Sequence, residues 1–252
     1  MSLIEPFLWL FLAHLIGDFV LQTEQMALKK GQILFWLALH ATIVAGITWV
    51  LCWSWTRNTF VVIAAVFLSH LLFDWVKPRL PGNPLKWYIV DQAAHVVVLI
   101  FGAHWMVHYG DVTHMPLSDY FPLRLLAVLC GYLVVGRPLT IGIGLFLKPW
   151  KDELFGQENE DAPVTGLVRS SEWIGNLERF FTMTCVLFDQ YVLVAALLIV
   201  KAALRFGETN AAEHRRRADY ILLGTFASVG AALAVAILVR LVLPELAVTS
   251  SF

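Results

Sequence analysis

Seven histidine and aspartate side chains lie in apolar stretches of the first 95 residues, and their types are those that bind metals or relay protons. Three histidine–aspartate pairs have a spacing of four residues, and one further histidine stands alone: His14 and Asp18, His40, His70 and Asp74, and Asp91 and His95. Side chains four positions apart in an α-helix lie on one face, one turn apart. Histidine and carboxylate are common zinc ligands, and ionisable groups in apolar helices mark functional sites because burying them is costly. The spacing therefore predicts polar helix faces that carry chemistry.

The composition is that of a membrane protein. The chain of 252 residues is 59% hydrophobic and 15% charged, whereas soluble domains are about 45–50% apolar and about 25% charged. Crossing a bilayer takes about 20 apolar residues. We therefore expect an all-α, polytopic transmembrane helix bundle with about seven segments, near 3–21, 33–53, 60–76, 88–107, 121–147, 173–204 and 220–243. The net charge of −1 provides no general basic surface, so no nucleic-acid partner is expected.

The length favours a single membrane domain, 1–252, with two parts. Residues 1–107 form a four-helix half that carries the polar site, and residues 121–252 supply supporting helices and a loop at 148–171. Arg137-Pro138 is expected to kink or break the fifth segment, because proline removes a helical hydrogen bond.

Basic residues predict which connections face the cytoplasm. They are concentrated in the first and third connections, at Lys29, Lys30, Lys77, Arg79 and Lys86. In this orientation all seven ionisable groups lie within two or three turns of the cytoplasmic face, so antiparallel helices can bring them into one site. Seven simple crossings would place Arg215–Arg217 outside, against the bias. The stretch 173–204 is therefore expected to be a hairpin, or to begin as a helix on the membrane surface.

Three interpretations of the polar groups are open. The first is a metal centre with one or more ions of zinc or another divalent transition metal, since seven donors exceed the four that one tetrahedral zinc takes. The second is a proton or ion pathway, and the third is structural: a hydrogen-bonded His–Asp network that locks helix packing, or simply a pairing of Asp74 with Lys77. Gln22 and Gln92 either orient ligands or cap helix ends.

Two further groups have functional and structural interpretations. Glu178 and Arg179 are candidate catalytic residues that line the site, or else a surface pair that contributes little. Lys201 and Arg205 either bind a phosphate or extend to the membrane interface. His104, His108 and His114 are interpreted as loop and helix-end residues at the opposite face.

Several segments resemble the DUF3307 family of bacterial membrane proteins. They are Ala-His-Leu-Ile-Gly-Asp-Phe-Val-Leu-Gln at 13–22, His-Leu-Leu-Phe-Asp-Trp-Val-Lys at 70–77, Asp-Gln-Ala-Ala-His at 91–95, Gly-Asn-Leu-Glu-Arg at 175–179 and Ala-Asp-Tyr-Ile-Leu-Leu-Gly-Thr at 218–225. Asp219 stands where the family pattern suggests glutamate, and the charge is kept. The resemblance implies a multi-pass protein of the bacterial inner (cytoplasmic) membrane and implies no activity. The His-x-x-x-Asp pairs also look like those of zinc-cluster phosphodiesterases and membrane-bound metal-dependent hydrolases.

The functional expectation is a metal-dependent hydrolase that acts on a lipid-linked or phosphoester substrate near the cytoplasmic face, with membrane lipids as its surroundings. Glu178 or an unligated aspartate is expected to be the general base, and Arg179 to neutralise developing negative charge. A metal-ion or proton transporter that uses the same cluster is the alternative, as is a non-catalytic scaffold or sensor.

Overall fold

A computed structural model describes residues 2–52, 57–109, 120–156, 166–206 and 212–249. Every regular element in these ranges is helical, which confirms the predicted all-α class. The α-helices are α1 (Ile4–Leu15), α2 (Glu24–Lys29), α3 (Leu34–Leu51), α4 (Arg57–Val76), α5 (Pro84–Tyr109), α6 (Leu123–Val135), α7 (Arg137–Phe155), α8 (Gly166–Leu187), α9 (Tyr191–Phe206) and α10 (Ala212–Thr249). A π-helical turn, Ile16–Val20, continues α1, and a 3₁₀ turn, Lys77–Arg79, follows α4.

Five segments of the described chain are long and apolar enough to cross a membrane. They are Leu34–Leu51, Thr59–Arg79, Pro84–Tyr109, Leu123–Leu154 and Arg216–Leu243. The chain is therefore a polytopic membrane-type helical protein, although the predicted count of seven segments is not confirmed. The predicted stretch 173–204 is two helices, because α8 ends at Leu187 and the chain turns at Asp189, where φ is 61°. The break expected at Arg137-Pro138 is present between α6 and α7.

The chain divides into two compact units. The first contains the residues up to Cys130 with the end of α10, and the second contains Gly131–Val242. In the first unit α1 packs against α3 and α5, and α4 packs against the same two helices. The four helices thus form a closed ring, which is the arrangement that brings inward-facing polar groups of separate helices together.

The interior of this ring is layered along the helix axes. One layer contains a histidine from each helix, and an apolar layer lies one turn away on one side, formed by Leu10, Val44, Val66 and Leu99. These four side chains are at most 1% exposed. On the other side of the histidines, one turn away in sequence, are Asp18, Asp74 and Asp91. The polar groups therefore occupy one end of the ring, where α3 and α5 begin and α4 ends.

Two close approaches shape that end. A Cβ atom on Gly17 would lie 2.7 Å from Val44 Cγ2, so the absence of a side chain lets the π-helical turn lie directly against α3. A Cβ atom on Gly31 would lie 2.7 Å from Pro78 Cγ, so the connection after α2 touches the 3₁₀ turn after α4. The polar end is therefore bordered by the two connections that carry most of the nearby lysines.

The second unit has a core of its own around α6, α8 and α10. Its fully buried apolar side chains are Val135, Met183, Val186, Ala232 and Ala236. Arg179 of α8 is also buried, at 3% exposure. Its guanidinium donates to the carbonyl of Val135, where α6 ends, at 2.6 Å.

Candidate metal centre

The seven ionisable residues of the first unit converge in its interior, as the sequence predicted. All seven are buried, with exposures from 0% to 8%. The ring centroids of His70 and His95 are 4.3 Å apart, and those of His14 and His95 are 5.0 Å apart. His40 is more distant from its neighbour, with its ring centroid 5.8 Å from that of His70. Their convergence is confirmed, while their role as metal ligands stays a prediction.

Asp18 is at the centre of this cluster. Its Oδ1 atom lies 3.2 Å from His70 Nε2, 3.5 Å from His40 Nε2 and 3.7 Å from His14 Nδ1. The residue belongs to the π-helical turn, in which the wider winding changes the direction of a side chain relative to a regular α-helix. Such turns are frequent at functional sites. Asp18 thus contacts histidines from three helices.

The other two aspartates are each paired with a lysine. Lys30 Nζ lies 2.7 Å from Asp74 Oδ1, and Lys77 Nζ lies 2.7 Å from Asp91 Oδ2. The expected pairing of Asp74 with Lys77 was wrong: Lys30, from the connection after α2, takes that place. Asp18 differs from both aspartates, because its ion-pair partners among the described residues are histidines. With neutral imidazoles, the cluster and its two lysines therefore carry one negative charge, at Asp18.

Hydrogen bonds to the backbone determine where two histidines carry their protons. His70 Nδ1 lies 2.8 Å from the carbonyl of Val66, and His95 Nδ1 lies 2.8 Å from the carbonyl of Asp91. A carbonyl only accepts, so Nδ1 of each ring is the donor. In a neutral ring the Nε2 atom then has the lone pair. Bonds of this kind fix the tautomer and orientation of metal-binding histidines.

His14 is oriented through Gln92. The amide Nε2 of Gln92 donates to Asp91 Oδ2 at 3.1 Å, so its Oε1 atom faces His14 Nε2 at 3.4 Å. His14 Nε2 is therefore the donor, and its Nδ1 atom has the lone pair, directed towards Asp18. Of the two roles predicted for Gln92, this geometry corresponds to orienting a site residue. Gln22 accepts a bond from Lys30 Nζ at 2.7 Å.

The consequence is a set of buried acceptors without donors. In these tautomers His70 Nε2 and Asp18 Oδ1 are both acceptors, yet they are 3.2 Å apart. A proton or a cation has to lie between them, because two lone pairs repel at that distance. Buried polar atoms without a hydrogen-bond partner among the described residues include His14 Nδ1, Asp91 Oδ1 and His95 Nε2. Each orphaned buried atom is costly unless something binds it.

This donor set fits a divalent metal ion. His14, Asp18 and His70 each offer one ligand atom, and these atoms lie within 4.8 Å of one another. Imidazole nitrogen and carboxylate oxygen are the ligands that zinc takes in catalytic sites. The cluster is therefore a group that could bind a metal.

The predicted catalytic pair belongs to the second unit. Glu178 accepts a bond from Lys201 Nζ at 2.6 Å. Arg179 donates to Val135, Ser228, Thr140 and Asn176. Their roles towards the histidine cluster stay predictions.

The remaining predicted residues have local roles. The rings of His104 and His108 stack at 3.9 Å towards the far end of α5. His114 lies outside the described residues, as does the side chain of Arg205. Sequence reasoning missed Lys30 as a partner of the cluster, and its one signal was a position four residues before the apolar helix α3.

The comparisons with known proteins concern the half of the chain that contains the cluster. Residues 7–120 match the family model described as "Protein of unknown function (DUF3307)". Among curated proteins and solved structures, nothing matches the chain. The matched region includes all seven residues of the cluster, and Glu178 and Arg179 lie beyond it. The four-helix ring with its buried His/Asp cluster is thus the part of this chain that matches the DUF3307 family model.

Proposed function

We propose that the first unit is a membrane-embedded, metal-dependent hydrolase for a lipid-linked or phosphoester substrate. The observation that carries the proposal is the set of buried acceptors around Asp18, which a bound cation would satisfy. His14, Asp18 and His70 would hold a divalent transition metal, with His95 Nε2 as a further donor. A bound divalent ion supplies Lewis-acid polarisation of a phosphoryl or carbonyl oxygen and activates water as a nucleophile.

Asp91 is the general base in this proposal. Its Oδ2 atom is bonded by Lys77 and Gln92, whereas its Oδ1 atom is buried and has no hydrogen-bond partner among the described residues. A carboxylate oxygen that is not engaged can accept a proton from water within hydrogen-bond reach. Lys77, only partly exposed, holds the carboxylate in place.

The layered interior favours a hydrolase over a transporter. A transport route needs polar groups through the full membrane depth, because ions in hydrocarbon are costly. In the ring the apolar layer of Leu10, Val44, Val66 and Leu99 directly follows the histidines. That layer closes the cluster on one side, so a substrate would approach from the opposite side, where the three aspartates lie.

The first test is the metal content of the purified protein. We expect about one zinc-like ion per chain after expression in zinc-replete medium, given one three-ligand group with a fourth donor beside it. His70→Ala should lose that ion. His108→Ala is the matched control, because His108 is an exposed histidine of α5 outside the cluster. Metal-free wild-type protein, or equal metal in both variants, would contradict the metal centre.

The second test concerns hydrolysis. The wild-type protein should turn over at least one member of a panel of phospholipids and phosphodiesters in detergent, and His70→Ala should not. A metal-loaded wild type that is inert on the whole panel, and that moves ions into liposomes, would refute the hydrolase and favour transport.

A further inference from the structure

The polar end of the ring is bordered by two groups of cations, one partly buried and one exposed. Lys30 and Lys77 are the innermost, with side-chain exposures of 15% and 34%, and both are anchored on buried aspartates. Further out lie Lys29, Arg79 and Lys86. We call these five residues the basic mouth. Segments 24–36 and 74–91, which contain them and the two paired aspartates, have five basic and three acidic residues, so they carry a net charge of +2.

Aromatic rings accompany four of these cations. Lys29 Nζ lies 5.7 Å from the ring centre of Trp36, and Arg79 Cζ lies 4.2 Å from that of Trp75. The same relation joins Lys77 to Tyr88 at 5.4 Å and Lys86 to Trp87 at 5.0 Å. Tryptophan and tyrosine beside lysine and arginine are typical of the level at which lipid headgroups meet the hydrocarbon.

Large apolar side chains flank the same surface. Leu28, Leu34 and Phe35 are 77%, 74% and 67% exposed. Leu34 and Phe35 begin a helix that is long and apolar enough to cross a membrane. A soluble phosphoester has no apolar part that could use this surface, whereas a phospholipid presents its phosphate and its acyl chains together.

We propose that the basic mouth binds the phosphate group of an anionic membrane lipid. The inference rests on the proposed hydrolase and names its substrate class, because two lysines of the mouth contact aspartates of the same cluster. Lys77 supplies direct phosphate contacts: of its three ammonium protons, one is directed at Asp91, so donors remain for a second anion. Lys29, Arg79 and Lys86 provide the surrounding positive potential.

The experiment compares lipid binding by the full-length protein held in zwitterionic phosphatidylcholine nanodiscs. The probe is short-chain phosphatidate or phosphatidylglycerol, titrated at two salt concentrations. The test variant is the triple substitution Lys29→Gln, Arg79→Gln and Lys86→Gln, which leaves both buried lysine–aspartate pairs intact. Each basic residue near an anionic lipid contributes roughly fivefold to affinity, so the triple variant should bind roughly 100-fold more weakly. Lys148→Gln, which removes a lysine of the second unit, should bind like the wild type.

A second variant tests the inner cation. Lys77→Gln should weaken binding of the anionic lipid by about tenfold or more, since charge-assisted bonds to phosphate are strong. Short-chain phosphatidylcholine should bind the wild type poorly, and inorganic phosphate at equal concentration should not displace the anionic lipid. Wild-type affinity in the triple variant, equal affinity for phosphatidylcholine, or displacement by inorganic phosphate would overturn the proposal.

Metal content and thermal melting are measured on the same samples. We expect the triple variant to have the metal content and the melting temperature of the wild type, because its substitutions lie outside the cluster. If its metal content or melting temperature falls together with its lipid affinity, the result would count against a direct role of these residues in lipid binding. If the wild type lacks metal yet shows selective, mouth-dependent lipid binding, the hydrolase fails and the lipid site stands. If the wild type contains metal but does not select anionic lipid, the lipid site is refuted and the metal centre stands.

Discussion

Gly17 tests whether the π-helical turn determines the position of Asp18. An added Cβ would lie 2.7 Å from Val44 Cγ2, whereas ordinary van der Waals contact begins at 3.4 Å, so Gly17→Ala has to move the turn or α3 by about 0.7 Å. Overpacking of this kind costs about 1–3 kcal/mol. A shift of about 0.7 Å exceeds the tolerance of a metal site, because metal–ligand distances are held to about 0.2 Å. We expect Gly17→Ala to lower metal affinity by about 10–100-fold.

The assay pairs thermal melting in detergent with a competitive zinc titration. Gly46→Ala is the matched control: this glycine lies in α3, and an added Cβ would meet nothing within 4 Å. It should leave metal affinity unchanged and leave melting unchanged or slightly higher, because alanine favours a helix. Val44→Ala in the Gly17→Ala background removes the Cγ2 atom and should restore part of the affinity. Wild-type affinity in Gly17→Ala, or no recovery in the double variant, would refute the role of this contact.

Three further outcomes are expected from thermal melting. Asp74→Asn should lower the melting temperature because Lys30 loses its buried partner, and adding Lys30→Gln should restore part of it, since an unpaired charge costs more than an absent pair; additive losses would contradict this. Arg179→Lys should destabilise the protein by about 1–3 kcal/mol for each acceptor left without a donor, whereas Arg240→Lys, in an exposed pair with Asp189, should change little. Gly131→Ala should also lower the melting temperature, because its Cβ would overlap the side chains of Met183 and Val239. An unchanged value would show that these side chains can move aside at small cost.

Spacing in the sequence was enough to identify the cluster. His70 and Asp74, four residues apart in an apolar stretch, have to lie on one helix face, and their burial has to be compensated. The same logic holds for His14 with Asp18 and for Asp91. Local periodicity and the cost of burying charge are properties of the chain itself, so the all-α membrane class and the convergence of the pairs were predictable.

The break at Pro138 was predictable for a similar reason, because proline cannot continue a helical hydrogen-bond pattern. The turn near Asp189 was predicted only as one of two options, since no proline or glycine lies between residues 176 and 204. The chain turns at Asp189 because this residue has a positive φ, a conformation that aspartate permits but that its presence in a sequence does not predict.

Tertiary structure alone decided the electrostatics of the site. Which lysine pairs with which aspartate depends on the contact between the connections at Gly31 and Pro78, and sequence distance suggested the wrong partner for Asp74. The π-helical turn that carries Asp18 lies against Val44, a residue that is remote in the chain. Spacing determines which groups share a helix face, but the charge and the open lone pairs of the cluster depend on contacts between helices, which no local pattern encodes.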